Sequence, residues 1–406
     1  MQKVKIVKGG VVSAKGFRAA GVAAEIKYKG RNDVALIVAD RPCAAAAVFT
    51  TNKVAAAPVV YDREIITGGR IQAILANSGC ANACTGENGY KDAELSALAT
   101  AGELGIDPAL VLVASTGVIG RRLPIERLLA GMKAAKAELG RTAAHGLAAE
   151  KAVMTTDTRP KEACAKVVIG GKTVTVGGMA KGSGMIEPNM ATMLGFITTD
   201  AAISPAMLRR SLLLAIEKSF NRVVVDGDES TNDSVFLMAS GEAGNETITR
   251  SGEDFRAFTD ALCAVCISLA RQMATDGEGA TKFVTVTVRG AKTQRDADRA
   301  ARAVAKSPLA KTSWFGRDPN WGRVLAAVGY SGAEVEDMMT EVFYGKEWAF
   351  RCGQVADEEQ LKRLGKVLAA DSFEVIVDLH LGKFESCIYT CDFSLDYVHI
   401  NADYTT

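Results

Sequence analysis

Long hydrophobic runs and an excess of charge of one sign are both absent from this chain of 406 residues. No 18 apolar residues follow one another, so we expect a soluble protein without a transmembrane helix. The 48 basic and 47 acidic residues leave a net charge of +1, which offers nucleic acid or an anionic membrane no broad electrostatic surface. Because 48% of the residues are hydrophobic, the chain can still bury large cores, and intrinsic disorder is excluded. A ligand is therefore expected to bind at a local site.

The sequence leads us to expect neither export from the cell nor a metal site. Its first ten residues carry three lysines but no apolar segment long enough for secretion. An odd number of cysteines, nine, is typical of reduced thiols and predicts a cytoplasmic location. Cys263 and Cys266 have the spacing of half a zinc site, but they fall on a predicted buried helix and only three histidines exist. We interpret this pair as core residues and expect no metal.

Two segments have some features of ligand-binding loops but the wrong spacing. In residues 226–237, a calcium loop would need glycine where Thr231 stands and glutamate where Leu237 stands. The glycine-rich segment 177–184 does not have the order of residues that a phosphate-binding loop requires. We therefore predict a shaped connecting loop for the first segment and no nucleotide site for the second.

Hydrophobic periodicity predicts a mixed α/β fold. Short β-prone runs bounded by turn residues alternate with amphipathic stretches, and a pair of alternating runs near the end predicts an antiparallel hairpin. A further β-prone stretch, 396–400, predicts a terminal strand. The predicted strands are 34–40, 47–51, 71–77 and 109–116, the hairpin joins 373–381 to 384–394, and the predicted helices are 90–103, 124–139, one that begins at Ser204-Pro205 and one capped by Ser251.

A combination of short segments along nearly the whole chain is highly specific. These segments are 15-KGFRAAGVAA-24, 76-ANSGCANACTG-86, 114-ASTGVIG-120, 181-KGSGMIEPNMATMLG-195, 226-DGDESTND-233, 315-FGRDPNWGR-323 and 404-YTT-406. With them the chain resembles the ornithine acetyltransferases, also called glutamate N-acetyltransferases, of bacterial arginine biosynthesis. One departure is Glu25, where the family pattern has glycine.

The resemblance implies a fold and a processing event. The expected fold is a layered α/β sandwich of stacked sheets with outer helices, similar to the N-terminal-nucleophile hydrolases but different in connectivity. The precursor is expected to cut itself between Ala191 and Thr192, which would give fragments 1–191 and 192–406. Two copies of each fragment would form a heterotetramer.

The resemblance also implies the chemistry. Thr192 would be the nucleophile, and its α-amino group, freed by cleavage, would serve as the base, because its reference pKa of about 7.7–8.0 suits proton transfer near neutrality. The acetyl group would pass from N2-acetylornithine to Thr192 and then to L-glutamate. Since an amide is exchanged for an amide, the reaction implies no cofactor.

Individual site residues follow from the same resemblance, position by position. Thr116 and Gly117 would form the oxyanion hole. Lys181 is a plausible partner for a substrate carboxylate, and Glu278 for a substrate ammonium group. The implied substrate-binding set is Thr155, Lys181, Thr192, Glu278, Asn401 and Thr406.

Three questions stay open at the level of the sequence. Acetyl-CoA is a second conceivable acetyl donor, and the motifs favour neither answer. An N-terminal-threonine amidohydrolase or aminopeptidase would use the same nucleophile but deliver the acyl group to water. An amino-acid-binding protein without catalysis would account for a pocket but not for self-cleavage.

Overall fold

Two β-sheets, of nine and seven strands, organise the part of the chain that the computed structural model describes, residues 4–187 and 193–403. Their strands, in chain order, are β1 Lys5–Val7, β2 Phe17–Val22, β3 Val34–Phe49, β4 Arg70–Asn77, β5 Val111–Ser115, β6 Glu162–Ile169, β7 Lys172–Lys181, β8 Leu194–Thr199, β9 Val223–Val224, β10 Ser234–Ala239, β11 Phe283–Ala291, β12 Glu341–Tyr344, β13 Glu347–Arg351, β14 Gln354–Val355, β15 Ser372–Asp378 and β16 Phe384–Cys391.

Helices cover the sheets and connect many of their strands. They are α1 Ala57–Ile65, α2 Gly86–Leu104, α3 Ile125–Ala137, α4 Ala143–Val153, α5 Pro205–Lys218, α6 Glu253–Thr275, α7 Gln294–Lys306, α8 Pro308–Phe315, α9 Trp321–Gly329, α10 Glu358–Ala369 and α11 Leu395–Asp403. The expectation of a layered α/β fold with two sheets and outer helices is confirmed.

The first sheet places three segments side by side. Its order is β1-β6-β7-β8-β10-β3-β4-β5, and β2 pairs with β3. Strand β8 runs antiparallel to β7, with Leu194 opposite Lys181, and parallel to β10, with Leu194 opposite Ser234. The end of β7 and the beginnings of β8 and β10 therefore meet at one edge of this sheet.

The strand order of the second sheet shows that the predicted antiparallel hairpin is wrong. Its order is β14-β13-β12-β15-β11-β16-β9, so β11 lies between β15 and β16. The connection from β15 to β16 wraps around the end of β11, where Leu381 N donates to Gly290 O at 2.7 Å. Gly290 makes room for this path, since a Cβ there would lie 2.5 Å from Asp378 Oδ1. Alternation predicted both strands correctly, but it carries no information about a third strand inserted between them.

Three other local predictions are wrong. The predicted strand 34–40 and the first three residues of the predicted strand 47–51 belong to the single strand β3. Its pairing with β4 is irregular between Val38 and Cys43 and thus accommodates Pro42. Helix α6 is capped by Gly252, while the Ser251 hydroxyl accepts a hydrogen bond from Arg210 instead. The predicted terminal strand 396–400 is helical instead, because it lies within α11. None of the residues of α11 is buried.

Helix α6 connects the two sheets. It packs against β6 and β7 of the first sheet and against β9 and β16 of the second, and residues such as Phe258, Leu262 and Leu269 are fully buried. By length and composition α6 is long and apolar enough to cross a membrane, but most of it is buried inside the protein. Cys263 and Cys266 lie in this core, where burial raises the pKa of both thiols, as expected for inert residues.

Glu25, the departure from the family pattern, occupies a strained turn. Its φ of +57° is in the left-handed region, and its side chain is exposed. The Asp33 carboxylate fixes the turn by accepting hydrogen bonds from Ala24 N and Ile26 N, both at 2.6 Å. For a residue with a Cβ this conformation costs about 1–2 kcal/mol, which glycine avoids. The glycine of the family pattern thus has a conformational reason.

The substitution Glu25→Gly should raise the free energy of unfolding by roughly 0.5–1 kcal/mol. The relief of left-handed strain exceeds the additional backbone entropy that glycine loses on folding. Chemical denaturation of both proteins measures this difference. Glu25→Ala, which keeps the Cβ, is the matched control and should lack the gain; equal gains in both variants would contradict the explanation.

Candidate active site

Lys181 lies at the sheet edge where β7 ends and β8 begins. It is the last residue of β7 and pairs with Leu194, and its side chain is buried. Burial lowers the pKa of its amine, although the nearby carboxylates of Asp157 and Asp233 favour the charged form. A buried cation of this kind is suited to receive a carboxylate from a ligand.

A buried ion cluster fixes the backbone around Lys181. Lys161 Nζ contacts Asp157 Oδ1 at 2.7 Å and Asp276 Oδ2 at 2.6 Å. Burial alone would lower the pKa of Lys161, but the two carboxylates outweigh it and raise the pKa. Asp157 Oδ1 also accepts a hydrogen bond from Gly182 N at 2.7 Å. The cluster therefore joins the loop after α4, the turn after β7 and the end of α6.

The predicted substrate-binding residues Thr155, Glu278 and Asn401 are connected to this cluster. Thr155 N donates to Asp157 Oδ2 at 3.0 Å. Glu278 N donates to Ser183 O at 2.9 Å, and Asn401 Nδ2 of α11 donates to Glu278 Oε2 at 2.8 Å. The structure thus connects the segments that carry Thr155, Lys181, Glu278 and Asn401, while their roles in substrate binding stay predictions.

Close packing determines where the Glu278 carboxylate lies. Its atoms pack directly on Gly184, where an added Cβ would approach Glu278 Cδ to 2.3 Å. Any side chain at position 184 would therefore displace the carboxylate. Glycine is needed at position 184 because it leaves room for the Glu278 carboxylate, and not because it makes the backbone flexible.

Thr116 and Gly117 follow β5 and form a sharp turn. Thr116 N donates to Asn77 O at 3.0 Å, and Gly117 has a φ of +130°. A Cβ on Gly117 would lie 2.4 Å from the backbone carbon of Gly79, so this turn requires glycine. The Thr116 hydroxyl has no hydrogen-bond partner among the described residues.

The turn at Thr116 and the sheet edge at Lys181 are joined through the start of β10. Asn232 Nδ2 donates to Ser115 O at 2.8 Å, and two residues further on Ser234 N donates to Met193 O at 3.0 Å. Met193 is the described residue next to Thr192 in the chain. Thr192 itself, Ala191 and Thr406 lie outside the described residues, so their predicted roles stay predictions.

Several residues of the site were missed by reasoning from the sequence. Asp226 accepts hydrogen bonds from Met185 N at 2.6 Å and Ile186 N at 2.7 Å, and burial raises the pKa of its carboxyl group. It holds Met185 at a φ of +56°, just before the segment with the predicted cleavage site. The acidic loop thus fixes neighbouring backbone through hydrogen bonds. This agrees with the prediction of a shaped connecting loop in place of a calcium site. No sequence pattern predicted the ion cluster of Asp157, Lys161 and Asp276. Its residues come into contact only because the fold brings together segments that are far apart in the chain.

The arrangement combines groups that suit amide chemistry on an amino acid. Lys181 and Glu278 offer opposite charges, which match the carboxylate and ammonium groups of a free amino acid. Thr116 supplies a hydroxyl donor next to a glycine turn, which suits the stabilisation of a tetrahedral oxyanion. Lys181 pairs with Leu194 at the start of β8, and the Thr116 turn is joined through Asn232 to the start of β10.

Comparison with known proteins gives full-length relatives. The chain is 52% identical over 401 residues to the arginine biosynthesis bifunctional protein ArgJ of Symbiobacterium thermophilum, covering 98% of this chain and 99% of that protein. It is 45% identical over 414 residues to a glutamate N-acetyltransferase of Methanocaldococcus jannaschii, covering 99% of this chain and all of that protein.

A solved structure also matches part of the chain. It is that of the ornithine acetyltransferase of Mycobacterium tuberculosis complexed with ornithine, which is 42% identical, with a TM-score of 0.43, over 47% of this chain and 100% of that chain. The match to the ArgJ family extends from residue 18 to residue 406. The family match and the full-length relatives confirm the resemblance drawn from the short segments, and the chain belongs to the ArgJ family.

Proposed function

We propose that this chain is an acyltransferase of arginine biosynthesis that moves an acetyl group from N2-acetyl-L-ornithine to L-glutamate. Membership of the ArgJ family and the glutamate N-acetyltransferase relative support this function. The observation that carries the proposal is the junction at Met193. There, the Thr116 turn and the pair of Lys181 and Glu278 are tied to the strands beside position 192.

The first proposed step is self-cleavage into fragments 1–191 and 192–406. The Thr192 hydroxyl attacks the carbonyl carbon of Ala191, the C–N bond breaks, and an ester forms while the amine of Thr192 takes up a proton. Water then hydrolyses the ester. Since α-amino groups have a reference pKa of about 7.7–8.0, the freed amine of Thr192 can serve as the base for its own hydroxyl.

Acetyl transfer then proceeds in two half-reactions. The Thr192 hydroxyl gives its proton to the α-amino group and attacks the acetyl carbon, and Thr116 and Gly117 donate to the resulting oxyanion. Ornithine leaves with the proton, which generates an acetyl ester on Thr192. The amine of glutamate attacks this ester, releases N-acetylglutamate and regenerates the hydroxyl.

Substrate groups are assigned by charge. Lys181 receives the α-carboxylate that both amino acids share, and Glu278 faces an ammonium group. Asn401 donates to Glu278, which reduces the repulsion that its carboxylate exerts on the side chain of glutamate. Thr155 lines the same network, and Thr406 completes the set in the proposal.

The proposal includes the assembly and location of the enzyme. Two copies of each fragment form a heterotetramer in the cytoplasm. The native mass of the processed protein measures this assembly.

Purified protein should consist of two fragments, one ending at Ala191 and the other beginning at Thr192. Intact-mass measurement and N-terminal sequencing check this result. Thr192→Ala removes the attacking hydroxyl and should leave the chain whole and inactive. Thr67→Ala, at an exposed threonine, is the control and should be cut normally. A whole wild-type chain after prolonged incubation would contradict the assignment.

Thr116→Val should lower kcat by about 100-fold with little change in KM, because the lost hydroxyl stabilises the transition state and not the bound substrate. Thr116→Ser keeps the hydroxyl and should retain most of the activity. Steady-state kinetics on fully processed protein measure both. If Thr116→Val turned over at the wild-type rate, Thr116 would have no part in the oxyanion hole.

Glutamate should accelerate the release of ornithine from acetylornithine and should itself become acetylated, since the acetyl-enzyme needs an amine acceptor. Mass spectrometry of the products with each donor alone checks this. Formation of acetylglutamate from acetyl-CoA would show a second donor, whereas its absence would restrict the chain to exchange. Release of ornithine and acetate at a rate independent of glutamate would indicate an amidohydrolase and contradict the proposal.

A further inference from the structure

Asn232 lies at the boundary between the two parts of the site. It precedes β10 by two residues in the loop that follows β9, and only 7% of its surface is exposed. Ser234, the first residue of β10, pairs with Leu194, and its N–H donates to Met193 O. Movement of Asn232 would therefore displace Ser234 and, through it, the start of β8.

The Asn232 side chain uses all its polar atoms on backbone and loop groups. Nδ2 donates to Ala81 O at 2.6 Å and to Ser115 O at 2.8 Å. Oδ1 accepts a hydrogen bond from the Thr231 hydroxyl at 2.6 Å. With both amide protons and the carbonyl engaged, the side chain has one orientation in which its buried groups are satisfied.

The peptide group between Ser115 and Thr116 is consequently held from both sides. Asn232 binds its carbonyl oxygen, and Asn77 O accepts a hydrogen bond from its N–H, at 3.0 Å. The orientation of this peptide group limits where the Thr116 side chain and the following N–H of Gly117 can point.

The second carbonyl bound by Asn232 strengthens the same turn. Ala81 N donates to Val118 O at 2.9 Å, while Ala81 O receives the hydrogen bond from Asn232. Asn232 thus binds Ser115 directly and is connected to Val118 through Ala81. These are the residues before and after the pair of Thr116 and Gly117. No described contact of Asn232 is made with Lys181 or Glu278, so its influence is confined to the turn and the start of β10.

We propose that Asn232 is a positioning residue, which holds Thr116 and Gly117 at a fixed place relative to β8 and β10. This inference rests on the proposed function, in which those two residues stabilise the oxyanion. Asn232 does not touch the substrate in this scheme. It orients the donors, and a displacement of about 1 Å in such donors is enough to reduce the rate strongly.

Kinetics of Asn232→Ala and of the isosteric Asn232→Asp test the proposal. Both remove the two N–H donors, and we expect kcat per processed chain to fall about 10-fold to 100-fold, with KM for acetylornithine and glutamate within about twofold of wild type. Combination with Thr116→Val should lower kcat by less than the product of the two single losses, since both changes act on the same donors.

Asn245 provides a matched control. It is also 7% exposed, and its side chain also binds backbone groups, Ala202 N at 2.9 Å, Ala202 O at 3.1 Å and Glu246 O at 2.7 Å. Asn245→Ala should lower the melting temperature about as much as Asn232→Ala but leave kcat unchanged. A variant of Asn232 that melts like this control yet cuts itself at least about tenfold more slowly also supports the proposal, because cleavage passes through an oxyanion as well.

Two results separate the failure of this inference from the failure of the proposed function. If Thr116→Val lowers kcat while both Asn232 variants keep it within about twofold of wild type, Asn232 has only a structural role and the inference is overturned. If Thr116→Val itself leaves kcat unchanged, the oxyanion hole is wrongly placed, and the inference falls together with that part of the proposed function. Strictly multiplicative losses in the double variant would also overturn it, because they would show that Asn232 and Thr116 act independently.

Discussion

The buried cluster of Lys161, Asp157 and Asp276 is the interaction on which the proposed substrate-binding half of the site depends. Each charge is removed from water, so each is tolerable only while its partners are in place, and loss of one partner from a buried ion pair typically costs about 3–5 kcal/mol. Because the cluster joins the loop after α4, the turn after β7 and the end of α6, it fixes three distant segments with a single set of contacts. Thr155, Lys181 and Glu278 owe their relative positions to it.

The other half of the site is built from backbone rather than from charges. Gly117 passes so close to Gly79 that the turn has no room for a side chain, and Asn77 and Asn232 bind the peptide group that precedes it. Amides are suited to this task because they donate and accept without charge, so they add no field that would compete with a developing oxyanion. In the proposed mechanism, charged side chains thus face the carboxylate and ammonium groups of the substrate, and neutral donors face the reacting carbonyl.

In the proposed mechanism, position 192 gains its chemistry from the meeting of the two halves of the site. A threonine hydroxyl is a weak nucleophile near neutral pH, and a peptide bond is inert, so neither would react in an ordinary strand. The strands β7, β8 and β10 carry Met193 into the junction, while Asp226 holds Met185 and Ile186 at the other end of the segment that contains the predicted cleavage site. In the proposed mechanism these two anchors present one bond to the attacking hydroxyl and later present the free amine as its base.

The sequence by itself determined the class of the fold, four of the helices and the family. Helices α2, α3 and α5 follow from periodicity and from a Ser-Pro start, because these signals act within a few residues. The family resemblance implied a substrate-binding set that includes Thr155, Lys181, Glu278 and Asn401, and the structure places the segments that carry these residues in contact. Only the tertiary structure decided that β11 separates the two predicted hairpin strands, that residues 396–400 form a helix, and that Lys161 and Asn232 hold the site. Strand insertion, burial of a charge and the clamping of a peptide group all depend on segments far apart in the chain, and local periodicity carries no information about their meeting.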